Sequence, residues 1–302
     1  MKAAVLRSYG TPQFGEFDEP DATPRGGYGE VVEVLAATVN SVDRALASGA
    51  HRLSPTLLPA VCGVEGVGRR TDGRRVHFSW PAAPYGSLAE RTLVDPDRLI
   101  EVPDGLDDAV AAALGNAGWA AWLPLSWRAG LRPGERVLIL GATGVVGRLA
   151  TQSAKLLGAG RVVAAGRDTR ALAEAVELGA DAAVHIDDMS GVGPADVIID
   201  YTWGAPARAA LQAAAPGVRL VQIGDRADRR IALSGALLRG KGATIMGFQQ
   251  SHADRQTVTD AYRQMAEHAM AGRLRLDVER RALSEVAQLW GRGARRKLVL
   301  IP

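Results

Sequence analysis

Short apolar runs alternate with polar breaks over the first third of the chain. The runs KAAVL, GEVVEVLAATV, GRRVHF and SLAERTLV are rich in Val, Ala and Leu and are separated by Pro, Gly and Asp. Short β-prone runs between turn-forming residues are typical of antiparallel sheets. The pattern therefore predicts an antiparallel β domain at the start of the chain.

From Leu106 onward the pattern changes to helical spacing and then to strands that alternate with helices. The run DDAVAAALGNAGWAAWLPLSW is rich in Ala and Leu, and Asp107 and Asp108 suit the first turn of a helix. The apolar strands RVLIL, RVVAAG, ADVIIDY, RLVQIG and KGATIMGF follow, and most are separated by helices of about a dozen residues, which predicts a parallel sheet covered on both faces. The tail predicts one more helix and a closing strand, KLVLIP.

A glycine-rich loop lies directly between the strand Val137 to Leu140 and the next helix. Its glycines, Gly141, Gly144 and Gly147, form the pattern GxxGxxG. A pyrophosphate site needs this placement, because it combines a tight turn, close backbone approach and free N–H groups at a helix N-terminus. The predicted cofactor-binding residues of this loop are Gly141, Ala142, Thr143, Gly144, Val145, Val146 and Gly147. A packing turn without a ligand is the alternative interpretation.

The cofactor type depends on the corner AAGRD after the next strand. A dinucleotide site places there an acidic residue for a ribose 2′-hydroxyl or an arginine for a 2′-phosphate. Arg167 is able to pair bidentately with a phosphate, and this favours NADPH. Asp168 keeps NADH as the less favoured alternative.

Composition and charge exclude several other classes of protein. The formal charge is only +3, from 36 basic and 33 acidic residues spread along the chain, so nothing indicates a nucleic-acid partner. A single cysteine excludes an internal disulfide, and no Cys or His residues have zinc-ligand spacing. We find no signal peptide and no apolar run long enough to span a membrane, so we expect a cytoplasmic protein.

The ordered set of segments resembles the medium-chain dehydrogenase/reductase superfamily and, within it, the quinone-oxidoreductase-like members. The segments that carry this resemblance are EVVEVLAATVNSVD, LLPAVCGVEGVG, YGSLAE, VLILGATGVVG, AKLLGAGRVVAAGR, DVIIDY, RLVQIG and KLVLIP. The resemblance implies an α/β protein with a GroES-like catalytic domain over 1–112, completed by 262–302. A Rossmann-type doubly wound dinucleotide-binding domain over 113–261 follows, with the active cleft between the two domains. It also implies a homodimer formed through the edge strand ATIMGF.

The resemblance places this chain among the zinc-independent members. In zinc-dependent relatives a Cys occupies the position of Asn40, and a His occupies the position of Val64. A valine cannot coordinate a metal, and a carboxamide is a poor zinc ligand. We therefore expect no metal site, with VCGVEGVG kept as a turn and Cys62 as a small core residue.

The chemistry that the resemblance implies is hydride transfer from NADPH to a small quinone or α,β-unsaturated carbonyl. We expect three catalytic residues: Asn40 as a hydrogen-bond donor to a carbonyl or the cofactor, Asp43 as an orienting group, and His51 as the proton donor. Several relatives carry a tyrosine eleven residues after the Asn, and His51 has this spacing; a solvent-facing loop histidine is the alternative. Further expected cofactor contacts are Tyr201, Gly224 and Lys297.

Two other function classes stay open at this point. The first is a redox-neutral isomerase or cyclase on the same fold, because Ala120 and Arg296 replace residues that relatives use beside the cofactor. The second is a non-catalytic, nucleotide-sensing protein. The identity of the small-molecule substrate is open as well, because such pockets are lined by loop residues.

Overall fold

The computed structural model describes residues 1–21, 29–293 and 295–302. The chain forms two compact units, one of residues 1–116 with 262–302 and one of residues 117–261. Within the described residues, none of the helices combines the length and the apolar character that crossing a membrane requires.

The strands and helices are numbered along the chain. The strands are β1 (Lys2–Leu6), β2 (Gln13–Glu16), β3 (Glu30–Thr38), β4 (Ala60–Val61), β5 (Glu65–Arg69), β6 (Arg75–Ser79), β7 (Arg91–Val94), β8 (Ile100–Glu101), β9 (Arg136–Leu140), β10 (Arg161–Gly166), β11 (Ala182–His185), β12 (Val197–Asp200), β13 (Arg219–Gln222), β14 (Thr244–Gly247), β15 (Val278–Ala282) and β16 (Lys297–Ile301). The helices are α1 (Ser41–Ala47), α2 (Asp108–Ala113), α3 (Trp119–Leu123), α4 (Val145–Leu156), α5 (Thr169–Glu177), α6 (Gly204–Ala213), α7 (Gly235–Lys241), α8 (Arg255–Met270) and α9 (Val286–Leu289).

The first unit is built on two sheets. One has the order β2-β1-β4, and the other has the order β15-β16-β3-β5-β6-β8, with β7 also paired to β3. The pairs are antiparallel, as predicted, except that β15 runs parallel to β16. Apolar side chains of β3, β6 and β16 form the core of this unit together with Trp290. The sheets therefore fix the positions of the last residue of β3, Thr38, and of the first residue of β5, Glu65, both of which are polar.

The second unit is a parallel sheet with the strand order β11-β10-β9-β12-β13-β14. This is the 3-2-1-4-5-6 order of a doubly wound dinucleotide-binding fold. The order reverses between β9 and β12, so ligands of such folds bind at the carboxyl ends of these two strands. The predicted fold class, a Rossmann-type parallel sheet with a GroES-like β-rich domain, is confirmed.

The structure differs from the predicted elements in several places. The long predicted helix after Leu106 is broken at Gly115, whose ψ of −114° is not helical. A Cβ at Gly115 would lie 2.3 Å from both Glu65 Oε2 and His77 Nε2, so only glycine lets the chain pass this buried pair. The short helices α1, α7 and α9 and the strands β2, β4, β8, β11 and β15 were not predicted, because elements of two to seven residues carry too little periodicity to stand out. The segment VCGVEGVG, expected as a turn, contains the start of the strand β5.

The turn between β9 and α4 depends on a close approach of backbone to backbone. A Cβ on Gly147 would lie 2.2 Å from Gly141 O, whereas a Cβ on Gly144 would have its nearest neighbour at 3.6 Å. Gly141 itself has a φ of +85°, which favours glycine. The first turn of α4 packs on this loop only because Gly147 is small.

We predict different stability effects for alanine at two glycines of this loop. Gly147→Ala should destabilise the protein by about 1–3 kcal/mol, since its Cβ overlaps backbone atoms that cannot move aside. The matched variant Gly144→Ala should change stability by less than about 0.5 kcal/mol. Urea unfolding followed by circular dichroism measures both. A Gly147→Ala protein more stable than wild type would show that helix propensity outweighs the contact.

Candidate active site and cofactor loop

The glycine-rich loop presents backbone N–H groups at the carboxyl end of β9. Gly141 and Ala142 donate their N–H groups to Ala165 O at 3.0 Å, which ties the loop to β10. Gly144 is the N-cap of α4 and offers no side chain to cap the first turn. The N–H groups of Val145 and Val146 are thus left for a ligand, and negative charge is favoured there by the helix dipole.

The corner after β10 lies beside this loop. A Cβ on Gly166 would meet Thr143 Cγ2 at 2.4 Å, so Thr143 covers the end of β10. Arg167 follows and is exposed. The next residue, Asp168, caps α5, because its Oδ1 accepts hydrogen bonds from the N–H groups of Arg170 and Ala171 at 3.0 and 3.1 Å. Arg167 is therefore the side chain of this corner that is available for a phosphate.

The structure also brings Tyr201 and Gly224 to the glycine loop. A Cβ on Gly141 would lie 3.4 Å from Tyr201 Cβ, and one on Gly224 would lie 2.9 Å from Tyr201 O. The Tyr201 hydroxyl donates to Ala120 O at 2.8 Å, and burial raises the pKa of this phenol above its ordinary range. Ala120, which lacks the hydroxyl expected from relatives, thus contributes its carbonyl as the partner that orients Tyr201.

These residues fit a dinucleotide. The chain supplies a turn without side chains in the path of a pyrophosphate, N–H groups at a helix N-terminus, and an arginine at the ribose corner after the neighbouring strand. Such a cofactor would be held by the loop from Gly141 to Gly147 and by Arg167, with Tyr201 and Gly224 beside it.

In the first unit the carboxylate of Glu65 is the centre of a buried polar cluster. Its Oε1 accepts hydrogen bonds from Thr38 Oγ1 at 2.6 Å and from Asn40 Nδ2 at 3.0 Å. Its Oε2 accepts from the Asn116 N–H at 2.6 Å and lies 3.7 Å from His77 Nε2. Burial opposes ionisation of Glu65, but the neighbouring His77, with the Lys297 charge and the Thr38 hydrogen bond, brings its pKa below the ordinary value. We define Thr38, Asn40, Asp43, Glu65, His77 and Lys297 as the Glu65 cluster.

Both N–H hydrogens and the oxygen of the Asn40 side-chain amide form hydrogen bonds within this cluster. The two Nδ2 hydrogens go to Thr38 Oγ1, at 2.9 Å, and to Glu65 Oε1. The Oδ1 atom accepts a hydrogen bond from the ammonium of Lys297. The expectation that Asn40 donates to a carbonyl or to the cofactor is therefore not supported, because an amide has only two N–H hydrogens.

Lys297 was expected to contact the cofactor, but its side chain is engaged elsewhere. Its ammonium is buried and donates to Asn40 Oδ1 and, at 3.2 Å, to Val39 O, all within the first unit. Burial lowers the pKa of Lys297, and the negative charges of Glu65 and Asp43 oppose this effect. These contacts account for the ammonium without a cofactor phosphate, and the amine acts here as the counter-charge of two buried carboxylates.

Asp43 contacts the backbone at the start of α1. Its Oδ2 accepts from the Asn40 N–H at 2.6 Å, which closes the first turn of α1. Its Oδ1 is buried and has no hydrogen-bond partner among the described residues. Burial raises the pKa of Asp43 to about 6, while the Asn40 N–H and the Lys297 charge partly counteract this rise.

His51 lies apart from these contacts, in the loop after α1. It is half-buried, and its Nδ1 accepts a hydrogen bond from the Leu53 N–H at 3.2 Å. In the neutral ring this leaves the proton on Nε2. The loop backbone thus selects one tautomer of His51.

The donor set near Val64 does not fit a zinc ion. Val64 has no ligating atom, Asn40 Oδ1 is bonded to an ammonium, and burial raises the pKa of the Cys62 thiol to about 12. In the described part of the chain, no group of three or more His, Cys, Asp or Glu residues is placed to hold a metal.

Glu65 and His77 were not predicted as interacting residues. The signal was present, because each is an ionisable residue within an otherwise apolar or glycine-rich strand, in VEGVG and in VHF. Their partners were not predictable, since Thr38, Asn116 and Lys297 are far from them in sequence.

We predict that Asp43 makes stability depend on pH between about 4 and 6. Its folded pKa of about 6 exceeds the ordinary 3.8, so the folded state keeps a proton that the unfolded state has already released. Stability should therefore fall as pH rises through this window, by up to about 3 kcal/mol. Asp43→Asn should remove this dependence, and urea unfolding at pH 5 and pH 7 measures it. Asp104→Asn, at an exposed position, serves as the control. Equal pH slopes for Asp43→Asn and wild type would contradict the assignment.

Comparison with known proteins supports the same fold and family. A family profile described as zinc-binding dehydrogenase matches residues 145–267. A phenolphthiocerol/phthiocerol polyketide synthase component of Mycobacterium tuberculosis is 29% identical over 82% of this chain, and the chain spans only 12% of that protein. The chain thus corresponds to a small part of the first curated relatives it matches.

Two further relatives are closer to this chain in length. The 2-methylene-furan-3-one reductase of Solanum lycopersicum is 32% identical over 61% of this chain and 52% of its own length. The solved quinone oxidoreductase of Thermus thermophilus, also solved in complex with NADPH, is 28% identical, with both chains covered completely and a TM-score of 0.79. Together with the doubly wound sheet and its glycine loop, these matches support the medium-chain dehydrogenase/reductase superfamily, and its quinone-oxidoreductase-like members, as the family of this chain.

Proposed function

We propose that this protein is a zinc-independent oxidoreductase that transfers hydride from NADPH to a small quinone or α,β-unsaturated carbonyl. The observation that carries the proposal is the loop from Gly141 to Gly147, placed where the strand order of the parallel sheet reverses and bordered by Arg167. This combination of backbone donors and a guanidinium fits a dinucleotide with a 2′-phosphate.

The named acceptors of two relatives support the substrate class. One relative is named for a quinone and the other for a 2-methylene-furan-3-one. Both acceptors contain a carbon–carbon double bond conjugated with a carbonyl, so charge that arrives on carbon is delocalised onto oxygen. Such a reaction needs hydrogen-bond donors and a proton and does not require a metal, which agrees with the donor set around Val64.

The chain's own residues have separate tasks in this proposal. Bound NADPH supplies the hydride. The loop N–H groups hold the pyrophosphate, and Arg167 reads the 2′-phosphate, whereas Asp168 is engaged as the cap of α5. His51 holds a proton on Nε2 and donates it to the reduced acceptor.

Asn40 and Asp43 act as positioning residues in this proposal. The Lys297 ammonium and the Glu65 carboxylate fix the Asn40 amide, and the Asp43 carboxylate fixes the Asn40 backbone at the start of α1. Because the segment with His51 follows α1 directly, this cluster determines where that segment begins.

The partners and location predicted from the sequence belong to the same proposal. We expect a small-molecule substrate, a cytoplasmic location, and a homodimer formed through β14. The strand β14 is the last of its sheet, and its far edge carries no partner strand among the described residues. An edge of this kind is able to pair with a second copy.

We predict that Arg167 sets the cofactor preference. Arg167→Ala should weaken NADPH binding at least about tenfold, a loss of roughly 1.4 kcal/mol, and should change NADH binding less than about twofold. Arg161→Ala, at the opposite end of the same strand, should affect neither nucleotide. Fluorescence titration with both dihydronicotinamides, using the six tryptophans as energy donors, measures the affinities. Tighter binding of NADH by wild type would contradict the NADPH assignment.

We predict that His51 is needed for turnover and not for cofactor binding. His51→Phe should lower kcat with a quinone or enone by about tenfold or more, as expected for a lost general acid, and should leave NADPH affinity unchanged. His252→Phe, an exposed histidine of the other unit, is the control. The measurement is NADPH oxidation followed at its dihydronicotinamide absorbance. Unaltered kcat in His51→Phe would exclude the role, and NADPH binding without oxidation by any acceptor would favour a sensing or redox-neutral protein.

A further inference from the structure

Two tryptophans have backbone conformations that bulky residues rarely adopt. Among the described residues, Trp80 and Trp203 are the non-glycine residues with positive φ, at 55° and 58°. This region costs energy for any residue with a Cβ, and it persists only where the surrounding structure enforces it. Each tryptophan therefore needs a physical reason for its conformation.

Trp203 has such a reason in the packing of its own unit. Its N–H donates to the Asp200 carboxylate at 2.9 Å, and its side chain packs against the apolar core formed by β9, β12 and β13. Burial of a large aromatic side chain offsets the backbone strain. Trp203 is thus a structural residue.

Trp80 has no comparable burial. Its side chain is 37% exposed, whereas Trp119, Trp122 and Trp290 are 2%, 2% and 5% exposed. It also precedes Pro81, which narrows the backbone conformations open to it. The strain at Trp80 therefore accompanies an indole that the fold presents to the surface.

The segment that carries Trp80 is firmly held next to the Glu65 cluster. The Trp80 N–H donates to Val64 O at 2.6 Å, and the preceding residue, Ser79, pairs with Glu65 in the sheet. The Ala82 N–H donates to Leu93 O at 2.8 Å, which pins the chain on the other side. The indole is thus displayed on a fixed backbone, and a pre-organised aromatic loses little entropy when it binds a ligand.

The stretch of chain that carries Trp80 has no charged side chain of its own. Residues 79–89, SWPAAPYGSLA, contain no Asp, Glu, Lys or Arg, although 23% of the chain is charged. A flat, uncharged, electron-rich surface is suited to stacking on a planar conjugated ring and offers little to a charged or flexible chain.

We propose that Trp80 is a specificity-determining residue, which stacks on the planar ring of a cyclic quinone or cyclic enone. This inference rests on the proposed function and narrows its substrate class to cyclic, planar acceptors. The strained backbone at Trp80 holds the indole in place. It is tied to the start of β5, because the Trp80 N–H donates to Val64 O.

The test compares Trp80→Gly, Trp80→Phe and the control Phe14→Ala with wild type. Phe14 is an exposed aromatic of the same unit, 39% exposed, on the regular strand β2. With 1,4-naphthoquinone, Trp80→Gly should raise KM about tenfold or more with kcat within about threefold, whereas Trp80→Phe should stay within about threefold of the wild-type KM. With the linear enone 3-penten-2-one, KM should change less than about threefold in all variants.

Stability and direct binding separate this inference from a folding defect and from the proposed activity. Glycine adopts positive φ freely, so the urea midpoint of Trp80→Gly should equal or exceed that of wild type. Without nucleotide, 1,4-naphthoquinone should quench wild-type tryptophan fluorescence more strongly than that of Trp80→Gly, because the quencher stacks on the indole.

An unchanged naphthoquinone KM in Trp80→Gly, or an equal rise for both acceptors, would exclude a stacking role, and equal quenching of both proteins would exclude it independently of activity. If wild type oxidises no NADPH with either acceptor, the proposed function fails, and the quenching comparison alone decides whether the stacking surface exists.

Discussion

A carboxylate that is out of contact with water constrains the whole of the first unit. The Glu65 side chain is 1% exposed, and a buried charge is tolerated only where hydrogen bonds and opposite charge replace its hydration. Its partners come from the end of β3, from the break after α2 and from β6, so these three elements must meet at one point. Gly115 is the clearest consequence, since no other residue leaves room for the two side chains.

In the same cluster, Asn40 occupies the position where the resemblance places a zinc-ligating Cys in zinc-dependent relatives, and its Oδ1 accepts a hydrogen bond from Lys297. Lys297 brings a positive charge from the last strand to the two buried carboxylates, Glu65 and Asp43. An ammonium with fixed hydrogen bonds to Asn40 and Val39 balances charge without an open coordination position. The first unit therefore retains a rigid polar centre that orders the start of α1.

In the second unit the corresponding constraint is steric. The glycine loop closes only because the chain can approach itself at Gly147, and this contact points the first N–H groups of α4 toward a ligand. Because Asp168 caps α5, Arg167 is the charged side chain that remains available at the corner after β10. A backbone loop of this kind, with one guanidinium beside it, fits a dinucleotide cofactor.

The local sequence pattern was sufficient to predict part of the structure. Most strands and helices of the parallel-sheet unit, the glycine loop and the position of Arg167 follow from short apolar runs, helical spacing and one motif, all of which act over fewer than about twenty residues. Long-range contacts decided the rest. Asn40 and Lys297 are 257 residues apart in sequence, and only the pairing of β16 with β3 reveals that they bond to each other. The backbone conformation of Trp80 and the break at Gly115 were likewise set by tertiary packing, because buried polar groups and strained turns depend on neighbours that local sequence does not specify.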